Sequence, residues 1–153
     1  CGHSVLAYNY RINDIQCALG LSQLKKINKF LVKRKNIAKR YDFELKDLKN
    51  CEIIHKDLRD NSSNHLYILK INFKKLGISR GKLMKLFKEK EIGTQVHYIP
   101  VTSHPYFKNK DYNKNNLPNS YEYYEGALSI PLYYDLTNKQ QTHVINQVKK
   151  LIG

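Results

Sequence analysis

Two short stretches of the chain carry polar side chains at spacings that suit an oxygen-rich ligand. In Gln95-Val96-His97-Tyr98, the imidazole and the phenol can each donate to a phosphate or sugar oxygen, while the Gln95 amide both donates and accepts. Side chains alternate along a strand, so Gln95 and His97 share one side and Val96 and Tyr98 the other. If one face meets a ligand, the remaining residues must serve through their backbone groups. The second stretch, Asn9-Tyr10-Arg11, sets an amide and a guanidinium just ahead of Asn13, a good N-cap with Gln16 placed to complete a capping box. Polar donors delivered from the mouth of a capped helix are suited to an anion. On spacing alone each stretch also has a plainer reading, a solvated turn around Asn9 and Arg11 and a histidine packed at a strand end for His97.

Other chemistries find less support. His3, His55, His65, His104 and His143 do not pair at metal-ligand spacing, and no carboxylate stands at a helical offset to complete a site. Cys1, Cys17 and Cys51 form no CxxC pair and leave an odd count, which argues against a disulfide framework and for reduced thiols. Cys17 falls in the apolar part of a helix, where a core position is expected rather than a nucleophile.

The elements that must position these residues follow from periodicity and punctuation. A helix starts after Asn13, with Asp14 complementing its dipole, and can run to about Leu48 with a break. Its faces between Lys25 and Arg40 are filled with basic residues, which reads as a solvated surface. Asp57 to Asn64 is a polar loop, and Leu66 to Phe73 is the strongest strand. Gly77 closes a turn, Ser79 caps a helix buried through Leu83, Met84 and Phe87, and Gly93 ends it. Gln95 to Ile99 is a short strand stopped by Pro100, and Thr102 to Asn119 is long and irregular. Leu117-Pro118-Asn119 opens a helix toward Ala127, Leu128 to Leu132 reads as an edge strand because Pro131 cannot donate, and Thr137 caps a last helix. This alternation of helices with a few strands indicates an α/β or α+β class with a small sheet.

The 153 residues suffice for one domain with a modest core. No window approaches a membrane span and no signal peptide is visible, so a cytoplasmic location is expected. The net charge of +14, from 27 Lys and Arg against 13 Asp and Glu, would suit a nucleic-acid binder. The basic residues are spread along the whole length, however, and there is no RNP aromatic pattern, GxxG loop or helix-turn-helix spacing. The same positive field would attract an anionic nucleotide-sugar.

The string from Asn9 to Gln16, continued by Ala18-Leu19-Gly20-Leu21-Ser22-Gln23-Leu24, resembles the signature turn and helix of the DegT/DnrJ family. Its members are pyridoxal-phosphate-dependent aminotransferases acting on nucleotide-linked keto-sugars. Ile92 to Pro100, followed by His104-Pro105-Tyr106, is similar to the family strand that ends in a His-Tyr pair and opens into the active site. Together with Ser62 to Tyr67, it resembles the branch that serves the route to pseudaminic acid. That branch moves an amino group from glutamate to the C4 keto group of a UDP-linked 4-keto-6-deoxy-N-acetylhexosamine. Leu128 to Leu132 with Leu136-Thr137 is similar to the last strand and helix start of the family, so the resemblance runs from Tyr8 to Leu151.

The resemblance implies the C-terminal part of a larger homodimeric enzyme, and a first residue Cys1 rather than Met suits that expectation. It implies an active-site turn over 1–14, a linking helix over 15–50, and a small domain over 51–153 with a mainly antiparallel sheet covered by helices on one side. Asn9 and Arg11 would face the anionic pocket of the cofactor, pyridoxal 5'-phosphate, in the partner subunit. Asn9, Gln95, Val96, His97 and Tyr98 would border the UDP-linked keto-sugar. The lysine that holds the cofactor and the carboxylate at its pyridine nitrogen lie upstream in the family, and neither motif occurs in this sequence. The chain alone is therefore expected not to transaminate. A stand-alone basic nucleic-acid-binding domain and a non-catalytic remnant that pairs with an intact subunit are the alternatives.

Overall fold

A computed structural model describes residues 10–107 and 117–153. The chain enters through helix α1 (Asp14–Leu24), whose start is held as the sequence predicts. The Asn13 side chain accepts from the Gln16 amide at 2.9 Å, and the Gln16 side chain accepts from the Asn13 amide at 3.0 Å. The helix breaks at Lys25-Lys26, and α2 (Ile27–Glu44) follows. Next come strand β1 (Cys51–Ile53), a 3₁₀ turn (Lys56–Leu58) and strand β2 (Tyr67–Ile71). Helices α3 (Phe73–Leu76) and α4 (Arg80–Glu89), two further 3₁₀ turns (Val101–Ser103 and Pro105–Phe107), α5 (Pro118–Gly126), β3 (Ala127–Ile130) and α6 (Asn138–Ile152) complete the order.

The three strands form one antiparallel sheet in the order β1-β2-β3, with Glu52 opposite Lys70 and Ile68 opposite Ser129. Alternation sends Tyr67, Leu69, Ile71, Leu128 and Ile130 into the core. There they join Ile37, Ala38 and Tyr41 of α2, Leu83 and Phe87 of α4, and Val144, Ile145, Val148 and Ile152 of α6. The small antiparallel sheet with helical cover is the expected architecture. Its other face carries Ile68, Lys70, Ala127 and Ser129, and the ion pair between Lys70 and Glu122 of α5 forms on that side.

Several local expectations need correction. Cys17 is exposed, not a core residue. None of α1 is buried, and Ile15, Leu19, Leu21 and Leu24 are all more than 60% exposed. An apolar stripe is buried only where a second layer meets it, and among the described residues nothing covers this one. The strand read to Phe73 stops at Ile71 because the Asn72 side chain caps α3, accepting from the Lys75 amide at 3.0 Å. α4 ends at Glu89, ahead of the Gly93 that was expected to end it, and the chain turns at Glu91, which is left-handed (φ 58°). Gly77 does take that conformation, at φ 72°. The expected strand at Gln95 to Ile99 contracts to a single bridge between Gln95 and Ser129. The carbonyl of His97 accepts from the Tyr123 hydroxyl (3.4 Å) and that of Ala127 from Arg80 (3.5 Å), so side chains take acceptors that a longer ladder would use.

The polar loop between β1 and β2 is pinned from inside. Arg59 is buried and grips Asp42 of α2 through Nε (3.0 Å to Oδ2) and Nη2 (3.1 Å to Oδ1), while the Tyr67 hydroxyl donates to Asp42 Oδ1 at 2.8 Å. The guanidinium also lies over the Tyr67 ring, 4.7 Å from its centroid. Burial, with the Asp42 carboxylate beside it, pushes the Tyr67 phenol well above its usual range and keeps it a donor. Asn64, left-handed at φ 50°, donates from Nδ2 to the Arg59 carbonyl at 3.0 Å. Removing one partner of a buried pair strands the other charge. Asp42→Ala should therefore lower the unfolding free energy by about 3–5 kcal/mol, and Tyr67→Phe by about 1.5–3 kcal/mol. Urea titrations of the chain read both, and an Asp42→Ala chain as stable as its parent would contradict this role for the pair.

Candidate functional site

The turn at Glu91 drops Ile92 into the core and leads the chain out along the free edge of β3. There Gln95 and Ser129 exchange both backbone bonds, Gln95 N–H to Ser129 C=O at 3.2 Å and Ser129 N–H to Gln95 C=O at 2.8 Å. Two residues on, the His97 imidazole lies with Nδ1 2.8 Å from the Ser129 hydroxyl oxygen. The phenol that bonds the His97 carbonyl, Tyr123, is raised above its usual pKa by burial. Tyr98 meets the imidazole edge-on, with centroids 4.7 Å apart, and is itself 72% exposed. Beyond Pro100, Tyr121 of α5 ties down the Val101–Ser103 turn. Its hydroxyl oxygen accepts from Ser103 Oγ at 3.0 Å and lies 3.1 Å from Thr102 Oγ1.

Of the residues singled out in the sequence, the fold thus brings Gln95 and His97 together on one serine. Gln95 presents its side chain to solvent, and Val96 is half-buried. Arg11 is exposed at the entrance to α1. Asn9 lies outside the described residues. Ser129, Tyr121 and Tyr123 were not anticipated. Their signals were present as a lone hydroxyl between Leu128 and Ile130, and as phenols clustered just ahead of that strand.

The resemblance implies a cofactor with its own demands on the surrounding side chains. Pyridoxal phosphate needs a lysine, a carboxylate for its ring nitrogen and several phosphate donors. Among the described residues, no lysine or carboxylate bonds Gln95, His97, Thr102 or Ser103, and every lysine is at least partly exposed. These residues do not fit the complete cofactor. They fit an edge that meets ligand oxygens. No group of three or more His, Cys, Asp and Glu side chains among the described residues could hold a metal ion, and no helix there is long and apolar enough to cross a membrane.

Residues 1–149 match the model of the DegT/DnrJ/EryC1/StrS aminotransferase family, and the chain belongs to that family. It is 36% identical over 141 residues to the UDP-4-amino-4,6-dideoxy-N-acetyl-beta-L-altrosamine transaminase of Campylobacter jejuni, covering 91% of this chain and 36% of that protein. It is 34% identical to the spore coat polysaccharide biosynthesis protein SpsC of Bacillus subtilis, covering 98% of this chain and 40% of the other. Among solved structures it is similar to Helicobacter pylori PseC, an aminotransferase involved in the biosynthesis of pseudoaminic acid. The TM-score is 0.87 and the identity 29%, covering 97% of this chain and 40% of that one. The chain spans about two-fifths of the length of these relatives.

The hydroxyl of Tyr121 is what fastens the turn after Pro100 to α5. Tyr121→Phe should leave the unfolding midpoint within a few degrees of the parent, since the loss is on the order of 1 kcal/mol. It should nonetheless speed amide exchange at Ser103 and His104 severalfold. Unchanged exchange at these amides would show that the backbone alone holds the turn.

Proposed function

We propose that this chain supplies the substrate-facing edge and the linking helix of a pyridoxal-phosphate-dependent sugar aminotransferase. The proposed reaction moves an amino group from glutamate to the C4 keto group of a UDP-linked 4-keto-6-deoxy-N-acetylhexosamine, the chemistry of pseudaminic acid biosynthesis. The reading rests first on the segment at Gln95. Its backbone is pinned to β3 while the Gln95 and Tyr98 side chains face solvent, as a ligand-lining segment requires. Family membership and the transaminase relatives support it. Gln95, Val96, His97 and Tyr98 would border the sugar nucleotide. Asn9 and Arg11 would reach the cofactor phosphate and substrate of a second subunit, where a guanidinium can bind two oxygens at once.

In this reading residues 1–14 form the active-site turn, 15–50 the link and 51–153 the small domain. The cofactor-holding lysine lies on a large domain outside these residues, so the chain by itself does not transaminate. The intact protein is a cytoplasmic homodimer.

A graft tests the substrate assignment. The segment of the Campylobacter jejuni transaminase that matches this chain is replaced by residues 1–153, and transfer from glutamate to the UDP-keto-sugar is measured. The graft should be active. His97→Ala within it should raise KM for the sugar nucleotide about five- to tenfold, as for a hydrogen bond of roughly 1–1.5 kcal/mol. The half-reaction with glutamate should be nearly unchanged. A folded, cofactor-loaded graft that ignores this sugar would refute the substrate class, and equal loss in both half-reactions would refute the role of His97.

The trans assignment has its own test. One inactive graft carries Asn9→Ala with Arg11→Ala, and the other lacks the cofactor-holding lysine of its host. A mixed dimer holds one site with both defects and one with neither, so mixing should restore activity. Mixed dimers that form but stay inactive would place the turn in its own subunit's site.

A further inference from the structure

We propose that Ser129 is a positioning residue for His97, donating its hydroxyl proton to Nδ1 and so fixing the imidazole as the tautomer that carries its proton on Nε2. The inference deepens the functional reading above, on which the identity of the ligand group depends. The tautomer itself rests only on the chain.

Donors and acceptors around Ser129 decide which atom carries the proton. Ser129 is buried at 6% exposure, and its backbone N–H and C=O are both taken by Gln95. Its hydroxyl has one hydrogen-bond partner among the described residues, His97 Nδ1 at 2.8 Å. Either atom could supply the proton of that bond. If Nδ1–H donated, the serine proton would be buried with no acceptor, which is the rarer and costlier defect. If the hydroxyl donates, its proton is used and only lone pairs are left over. The second arrangement therefore prevails, and the ring proton sits on Nε2.

The bond made at one nitrogen then sets what the other offers, as it does for a metal-ligating histidine held by an outer partner. Nε2 has no hydrogen-bond partner among the described residues, and the ring is kept in place by Tyr98 edge-on and by Tyr123 on the His97 carbonyl. His97 thereby presents an N–H donor. Its ligand group is an oxygen acceptor, a carbonyl, hydroxyl or phosphate oxygen, and a purely donating group is disfavoured. Ser129 thus gathers Gln95 and His97 into one unit through three hydrogen bonds, two from its backbone and one from its side chain.

The test is the nitrogen chemical shifts of His97 in the ¹⁵N-labelled chain, read about two units above the usual imidazole pKa of about 6.5. The parent should show Nε2 protonated and Nδ1 bare but shifted by an accepted hydrogen bond. Ser129→Ala should remove that shift and admit the other tautomer, while Ser129→Thr, which keeps the hydroxyl, should restore the parent pattern. Retained slow exchange of the Gln95 amide in Ser129→Ala shows that the backbone bridge, and so the fold, is intact. A protonated Nδ1 in the parent overturns the proposal. So does a His97 signal that Ser129→Ala leaves unmoved. In the graft, Ser129→Ala should raise KM for the sugar nucleotide about three- to tenfold, and Ser129→Thr should recover most of it. A graft indifferent to His97→Ala would overturn the ligand reading while the shifts still decide the tautomer, so the two failures are distinguishable.

Discussion

Asp42 is a carboxylate taken out of water in the last turn of α2, and much of the domain is arranged to replace the water it has lost. Arg59 comes from a loop, Tyr67 from the central strand, and both meet on the same pair of oxygens. The three-way contact ties α2 to the sheet at one end and closes the polar loop between β1 and β2. Arg34, about two turns earlier on α2, bonds the carbonyls of His65 (3.1 Å) and Leu132 (3.3 Å). Tyr41 adds a bond to the Pro131 carbonyl at 2.9 Å. α2 is thus fastened by polar side chains to the segments that begin β2 and leave β3, and hydrophobic packing fills the space between. Apolar burial makes the core compact, and the directional bonds set the register in which it packs.

β3 passes that order on to the candidate site. It has only four residues, all buried, and one of its edges would stand open but for Gln95. A single bridged residue covers the edge and releases the chain immediately afterwards, because neighbouring acceptors are claimed by Tyr123 and Arg80. The segment is rigid at its root and open at its tip. A longer ladder would have used the His97 and Ala127 carbonyls that here bond Tyr123 and Arg80, and an unbridged loop would have left His97 without a fixed origin.

What could be read from the sequence was what is decided locally. The caps at Asn13, Ser79 and Thr137, the left-handed Gly77 and the apolar faces of α4 and α6 each depend on residues within a turn or two. The donors and acceptors that Gln95 to Tyr98 carry are intrinsic to residue type, whereas their placement against β3 is not. β1 was not legible, since three residues become a strand only when β2 lies alongside. Nor were the burial of Arg59 and Asn64 in a polar loop, whose partner Asp42 is set by tertiary packing, or the part played by Ser129, which needs the register with Gln95. Each of these depends on a contact distant in sequence.

The exposed apolar residues of α1 follow a different logic from the rest. Because α1 is closed by its own capping box and separated from α2 at Lys25-Lys26, its side chains contribute almost nothing to the free energy that holds the sheet and its helices together. A polar substitution at Ile15, Leu19 or Leu21 would be nearly silent in the stability of this body. Their leucine and isoleucine side chains form an apolar surface for which the folded core has no use.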